Sequence, residues 1–509
     1  MEAPKMDDGN ITIKKARFGK WTKTRQRLLR QCEHKNFIAC LVGFYSCRWK
    51  SYQPKNVEPG HCCCGMGEGA FFTVLVLTLS LWFTFLYMWV EAKNDYHNFD
   101  GYAYEGLGFW FRWSTVILIL ASFFFSYFLF LMILAVCLFF ESQQLYLHWS
   151  HKAMTIFFMF VSVVCLTLIT FLWRRQWNTF YLSFQITAPF LHISAIFTMI
   201  VLAWPVALHF FQMHNRVLQV LILGPYLSVL LFLLFIPLGM HSPCIREKGT
   251  LGPKPQLIGH RGAPMVAPEN TEMAFLKTIY HGGMGLETDV TISLDGVPFL
   301  MHDRTLKRTT NIDEVFPEFV DQEAAFFPWA QLEKLNAGKW FFKVLWLPGP
   351  YRYFVHSKAP GFQQVSSSAD YLESLKFWNI VKINVDYRTV ASLDIRTYEE
   401  ANITTNLWVV SEPWLFSLVW CYGVHSVTTN SVHSLNKLKK PFFLMTPQEY
   451  RTMWILTDVV SIILICAIFG FYWWKGAGRA CCKEQSSMKH KSGSYNKIET
   501  ELNRMPTVA

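Results

Sequence analysis

The sequence predicts a multi-pass α-helical membrane protein with an inserted α/β domain, and three observations carry that prediction. Of the 509 residues, 52% are hydrophobic and 17% aromatic while only 16% are charged, a balance too oily for an ordinary soluble protein. Six apolar runs have the length, about 20 residues, that crosses a bilayer. Between the fifth and sixth of them, from 241 to 450, the composition turns soluble.

The runs at 71–90, 115–140, 153–173, 186–208 and 217–238 hold no charged residue, and 453–474 holds only Asp458. Repeated uncharged runs of this length are rare in soluble cores, so they are read as six spans in a lipid bilayer. The expected layout is a basic N-terminal region at 1–70, five spans within 71–240, an external domain at 241–450, a sixth span at 451–474 and a tail at 475–509. No cleavable signal peptide is visible in the polar, basic first 60 residues, so the first span is expected to act as an uncleaved anchor.

Charge placement orients the chain. Residues 1–60 hold thirteen Lys and Arg against five acidic residues, and the tail from Lys475 holds seven against three, which accounts for the whole net charge of +11. Basic flanks stay in the cytoplasm, so both termini are expected there, with the domain extracellular and the plasma membrane as the expected location. Arg174 and Arg175 argue mildly against this, because they fall in a loop expected outside. With the basic charge confined to flanking tails, no nucleic-acid partner is expected.

Thirteen cysteines are present, but only Cys244 and Cys421 fall in the external part, which allows one disulfide at most. Cys62, Cys63, Cys64, Cys481 and Cys482 flank spans as palmitoylation sites do, or are plain thiols in a reducing compartment. Asn402, in Asn402-Ile403-Thr404, is a glycosylation acceptor if external, whereas Asn10 carries the same pattern on the cytoplasmic side.

After a stiff linker with Pro237, Pro243, Pro253 and Pro255, a new domain begins near Leu257. Apolar or β-branched runs at 257–260, 285–290, 344–347, 362–365, 381–385, 407–410 and 426–429 alternate with helical stretches, the pattern of parallel strands. A further strand at 297–301 follows the Asp295-Gly296 turn pair and reads as half of a hairpin.

The chemistry concentrates at Ile258-Gly259-His260-Arg261-Gly262-Ala263-Pro264, Pro268-Glu269-Asn270-Thr271, Glu287-Thr288-Asp289-Val290 and Met301-His302-Asp303. Glu287 and Asp289, two apart on a predicted strand, leave one face together and can converge on a hard cation. His260 and Arg261 stand at the end of the first strand, where Gly262 permits a tight turn and Arg261 can clamp a phosphate oxygen. His302, at the end of the hairpin strand, is expected to face His260. Two imidazoles suit phosphodiester cleavage, one activating the attacking hydroxyl and the other protonating the leaving alkoxide. Singly, each feature has an ordinary structural reading: a satisfied histidine, a solvated strand face, a turn.

Together, His-Arg-Gly, Pro-Glu-Asn-Thr, Glu-Thr-Asp-Val, Asp-Gly-x-Pro and His-Asp resemble the signature run of the glycerophosphodiester phosphodiesterase family. The domain lodged between the fifth and sixth spans resembles its six-span membrane subgroup. The resemblance implies a TIM-type barrel, a divalent cation, Ca²⁺ or Mg²⁺, and hydrolysis of glycerophosphodiesters or lysophospholipid-like substrates. It casts His260 and His302 as the acid–base pair, Glu287 and Asp289 as metal ligands and Arg261 as the phosphate contact. Trp414 resembles a pocket-lining aromatic, or is a packing residue near the membrane surface.

The chain departs from the family in length. A TIM barrel takes about 250 residues, and the segment from Leu257 to Pro441 is shorter. The strand that carries the third acidic ligand is missing before the predicted strand at 344–347, with Asp386 and Asp394 as its only apparent substitutes. The domain is therefore expected to be an incomplete barrel, from a shortened splice form with impaired activity. Two other readings compete: a non-catalytic regulatory or binding protein that keeps the fold, and a transporter, which spans charged only at Asp458 and polar at His192 do not favour. The headgroup preference, among choline, ethanolamine and inositol, is not encoded in these motifs.

Overall fold

The computed structural model describes residues 35–47, 66–92, 94, 110–140, 143–213, 216–336, 352, 357 and 364–502. The predicted strand at 344–347, Cys62 to Cys64 and Asn10 lie outside the described residues.

Among these residues, six helices are long and apolar enough to cross a membrane. They are α2 (Met66–Glu91), α3 (Trp110–Phe140), α4 (Trp149–Leu172), α5 (Gln176–Gln212), α6 (Arg216–Phe235) and α14 (Pro447–Leu502). A shorter helix, α1 (Lys35–Ser46), precedes them and buries Ile38, Leu41, Val42 and Tyr45, which fall on one helical face, against the α2–α4 bundle. Within the spans, the polar His192 of α5 meets Asp458 of α14 at 3.5 Å and the Leu233 carbonyl at 3.1 Å.

The contacts at the helix ends follow the alternation of six crossings. At one end, Glu68 of α2 pairs with Lys152 of α4. At the other, Asn94 just beyond α2, the α4–α5 turn and Cys244 beyond α6 all meet the inserted domain. Arg175 therefore belongs on the domain's side, where it lies 3.7 Å from Asp386.

Helix α5 is longer than the run at 186–208 that announced it. Its 37 residues reach roughly 55 Å at 1.5 Å per residue, against a hydrocarbon core of roughly 30 Å. The extra turns leave the bilayer and join the domain. Leu182 and Ile186 enter the domain's hydrophobic core, Thr179 Oγ1 lies 2.9 Å from the Tyr387 hydroxyl, and the Tyr422 hydroxyl donates to Gln185 at 2.7 Å.

The domain is a curled, all-parallel sheet of six described strands in the order β2-β1-β8-β7-β6-β5. These are β1 (Gln256–Gly259), β2 (Gly285–Leu286), β5 (Val365–Ser366), β6 (Lys382–Asp386), β7 (Thr404–Trp408) and β8 (Ser426–Thr429). The first strand pairs with the last, Ile258 opposite Thr428, which is the closing seam of a TIM-type barrel. Among the described residues, β2 and β5 are the two ends of the sheet, and the segment between them in sequence includes the predicted strand at 344–347. Helices α7 (Glu272–Tyr280), α10 (Leu372–Phe377), α11 (Ile395–Glu400), α12 (Pro413–Tyr422) and α13 (Val432–Leu435) alternate with these strands. Helix α12 is apolar nearly all round because it is sandwiched: Leu415, Phe416, Leu418 and Val419 pack with Val385 and Val427 of the sheet and with α5. A disulfide joins Cys244, beyond α6, to Cys421 of α12.

The expected hairpin forms as β3 (Val290–Ile292) and β4 (Pro298–Leu300), antiparallel, with Gly296 at φ +83° in the connection. Two single-turn helices, α8 (Ile312–Val315) and α9 (Trp329–Leu332), cover it around Leu306, Ile312 and Phe327.

Two strand boundaries differ from expectation. The strand expected at 285–290 breaks after Leu286: the Glu287 N–H makes its bond to the Gly259 carbonyl at 2.8 Å, and the chain then leaves the sheet for the hairpin. The strand expected at 407–410 instead spans Thr404–Trp408; beyond it the Val409 carbonyl accepts from the side chain of Asn94, while the Val410 N–H still bonds the Thr428 carbonyl at 2.9 Å.

Candidate active site

The site gathers at the carboxyl ends of β1, β2, β4 and β8, the rim where a parallel barrel assembles its chemistry. The chain turns sharply after β1, with Arg261 at φ +51° and Gly262 at φ +88°. A side chain at Gly262 would meet the Ala274 Cβ at 2.6 Å, so glycine alone lets α7 pack against the turn.

The turn places His260 with its Nδ1 2.7 Å from the Asn430 side-chain oxygen and its Nε2 3.9 Å from Glu287 Oε2. Donation from Nδ1 to Asn430 leaves the Nε2 lone pair facing the site. Burial, reinforced by the adjacent Arg261 charge, pushes the imidazole down to about 3, so it is neutral at physiological pH.

Glu287 and Asp289 lie beyond the end of β2 rather than on a strand, yet they converge. The Arg261 backbone N–H donates to Glu287 at 3.0 Å, and the Arg261 Nε approaches Asp289 at 3.3 Å. Burial, with the like charge of Asp289 beside it, pushes Glu287 up to about 7. His302, two residues past β4, lies within electrostatic reach of both His260 and Glu287 and shares its Nδ1 proton with Asp303 at 2.8 Å.

Residues to which sequence reasoning assigned no role hold this arrangement. Arg308 reaches Glu269 through two bonds of 2.7 and 2.6 Å and Asp303 through two of 2.6 and 2.9 Å. It thereby ties the Pro-Glu-Asn-Thr loop to the His-Asp segment. Burial alone would raise Glu269 and Asp303, but hydrogen bonds from Arg308, joined at Asp303 by His302, outweigh it and hold both carboxyls below the usual range. Asn270, at φ +55°, donates to Asp289 at 3.2 Å and accepts from the Thr288 hydroxyl at 2.7 Å. Glu269, Asn270 and Asp303 were visible inside the motifs. Asn430 could have been suspected from its place directly after the strand at 426–429, whereas nothing in sequence marked Arg308.

The remaining expected residues fall elsewhere or in other contacts. The Arg261 guanidinium is buried and turned inward onto Glu269 and Asp289, not toward an open face. Trp414 is the second residue of α12 and packs half-buried against the hydrophobic core. Asp386 is engaged by Arg388 and Asp394 by Thr397. Asn402 is exposed in the turn before β7, open to solvent. Among the described residues, no group of three or more His, Cys, Asp or Glu side chains is set to hold a metal.

The charges nevertheless suit a divalent cation as two of its ligands. Four buried or half-buried carboxylates, Glu269, Glu287, Asp289 and Asp303, face two guanidiniums, Arg261 and Arg308. The surplus negative charge rests on the Glu287–Asp289 pair, whose mutual repulsion a bound cation would relieve.

Residues 260–351 match the model of the glycerophosphoryl diester phosphodiesterase family. The chain is 37% identical to human glycerophosphodiester phosphodiesterase domain-containing protein 5, over 89% of this chain and 86% of that protein. The chain belongs to the glycerophosphodiester phosphodiesterase family. Its class is that of a phosphodiester-cleaving enzyme, in a family that generally uses divalent cations. The glycerophosphoinositol inositolphosphodiesterase of Mus musculus is 35% identical over 84% of this chain and 92% of its own. Among solved structures, a glycerophosphodiester phosphodiesterase from Agrobacterium tumefaciens matches at TM-score 0.30 and 17% identity, covering 36% of this chain and all of that one.

Proposed function

We propose that this chain hydrolyses glycerophosphodiesters on the extracellular face of the plasma membrane, with His260 and His302 as its acid–base pair and a divalent cation at Glu287 and Asp289. The observation that carries this reading is the convergence of both carboxylates on Arg261, with Glu287 Oε2 3.9 Å from His260 Nε2.

The two imidazoles are prepared for opposite tasks. His260 is neutral with Nε2 unprotonated, suited to take a proton from the attacking hydroxyl. His302 is held through Nδ1 by the Asp303 carboxylate at 2.8 Å, which would orient its other ring nitrogen for donation to the leaving alkoxide. Glu287 and Asp289 would hold the cation, which supplies positive charge to the phosphate oxygens. Arg261 fixes both carboxylates through its backbone N–H and its guanidinium.

The Cys244–Cys421 disulfide supports an oxidising, external compartment for the domain, in which Asn402 would carry a glycan. Among the described residues, β2 and β5 end the sheet and two acidic residues rather than three stand at the rim; an unpaired edge and a thin ligand set would weaken it, which favours impaired turnover in this form. The match to the human relative also runs over 527 positions, more than this chain supplies, which supports a shortened form.

Release of glycerol 3-phosphate from glycerophosphocholine, and of inositol phosphate or glycerol 3-phosphate from glycerophosphoinositol, tests the reading on the full chain in detergent. His260→Ala and Glu287→Ala are each expected to lower turnover at least about a hundredfold, the usual contribution of a positioned acid–base group. Activity that survives both changes, or resists chelator, overturns it.

A further inference from the structure

Directly beyond the first span, Asn94 is fully buried against the barrel rim. Its side-chain amide donates to the Val409 carbonyl at 2.9 Å, and its side-chain oxygen accepts from the backbone N–H groups of Ser411, at 2.8 Å, and Glu412, at 3.3 Å. One side chain thus satisfies three backbone groups of the 409–412 segment, at the point where β7 hands over to α12. Those groups would otherwise be unpaired in a dry environment, which is costly.

The clamped segment continues toward the site. The Ser411 hydroxyl accepts from the Asn430 backbone N–H at 3.1 Å, and the Asn430 side-chain oxygen accepts from His260 Nδ1 at 2.7 Å. The path from a membrane helix to the imidazole is four residues long: Asn94, Ser411, Asn430, His260.

We infer that Asn94 is a positioning residue for His260, through which the membrane bundle sets the tautomer and orientation of the imidazole. The inference rests on the proposed acid–base role of His260 for its catalytic consequence, but its geometric part does not. Docking of the first span holds 409–412, 409–412 holds Asn430, and Asn430 keeps the His260 proton on Nδ1. The barrel's activity is therefore tied to its attachment to the bundle.

The test uses the full chain in detergent, labelled with ¹⁵N-histidine, with the His260 signals assigned by their loss in His260→Ala. The wild-type protein is expected to show a single Nδ1–H tautomer. Asn94→Ala is expected to give a mixture of the two tautomers and to lower kcat about tenfold with KM unchanged, the lower end of what losing a histidine-orienting partner costs. Combined with Asn430→Ala, it adds nothing further, because both act along one path. Ser411→Ala breaks the middle link while leaving the Asn94 bonds in place, and gives the same tautomer mixture should Asn94→Ala not fold. A wild-type histidine spectrum in Asn94→Ala or Ser411→Ala, or losses that multiply in the double variant, overturns the inference. If the tautomer responds while His260→Ala keeps full turnover, the relay stands and the catalytic reading fails.

Discussion

Replacing Arg308 by methionine probes the network that holds the rim together. Its guanidinium makes four hydrogen bonds, two to Glu269 and two to Asp303, and its side chain is only 14% exposed. Glu269 is buried still deeper, at 7%, and keeps one further partner, Arg261 at 3.3 Å. Removing one member of a buried ion pair costs about 3–5 kcal/mol because the other charge stays behind undercompensated. The surviving Arg261 contact and the partial exposure of Asp303 place the expected loss near the low end, about 3 kcal/mol. Urea titration of the detergent-solubilised protein, followed by tryptophan fluorescence, measures it. Lysine in place of arginine is expected to recover only part, since it cannot make the paired forks to two carboxylates. A loss below about 1 kcal/mol for Arg308→Met, the range of surface pairs, would refute the claim that this network is buried and load-carrying.

The same carboxyls set an acid limit. Their folded pKa values lie below the unfolded ones, so their stabilisation is complete above the ordinary carboxylate range, about pH 4, and is lost as pH falls through the folded values. Arg308→Met is expected to flatten that acid-side loss in a pH series of urea midpoints. Cys421→Ser removes the cross-link to Cys244 across 177 residues and is expected to cost about 2–5 kcal/mol, measured against the oxidised wild type, with reductant reproducing the effect. Gly262→Ala, which combines a φ of +88° with a 2.6 Å approach to Ala274, is expected to destabilise by more than about 1 kcal/mol and to displace His260, seen as lost turnover as well as a lower urea midpoint.

Much of the architecture was legible because its signals are local. A bilayer demands unbroken apolar length, so the six runs announced α2 to α6 and α14, and the hairpin followed from Asp295-Gly296 between short β-branched stretches. Strand ends were less legible. What receives the Glu287 N–H and the Val409 carbonyl depends on partners, Gly259 and Asn94, that are remote in sequence.

Sequence by itself determined the kinds of residue at the site: the carboxylates two apart, the histidines after strand ends, and the glycine that only a left-handed turn requires. Tertiary structure alone decided their company. It turned Arg261 inward, bound Arg308 to two loops, set Asn430 behind His260 and drew the first turns of α5 out of the bilayer into the domain core. The physical reason is that hydrophobic length and turn chemistry are written along the chain, whereas pairing of buried charges and amides depends on which distant segments folding brings within about 3 Å of one another.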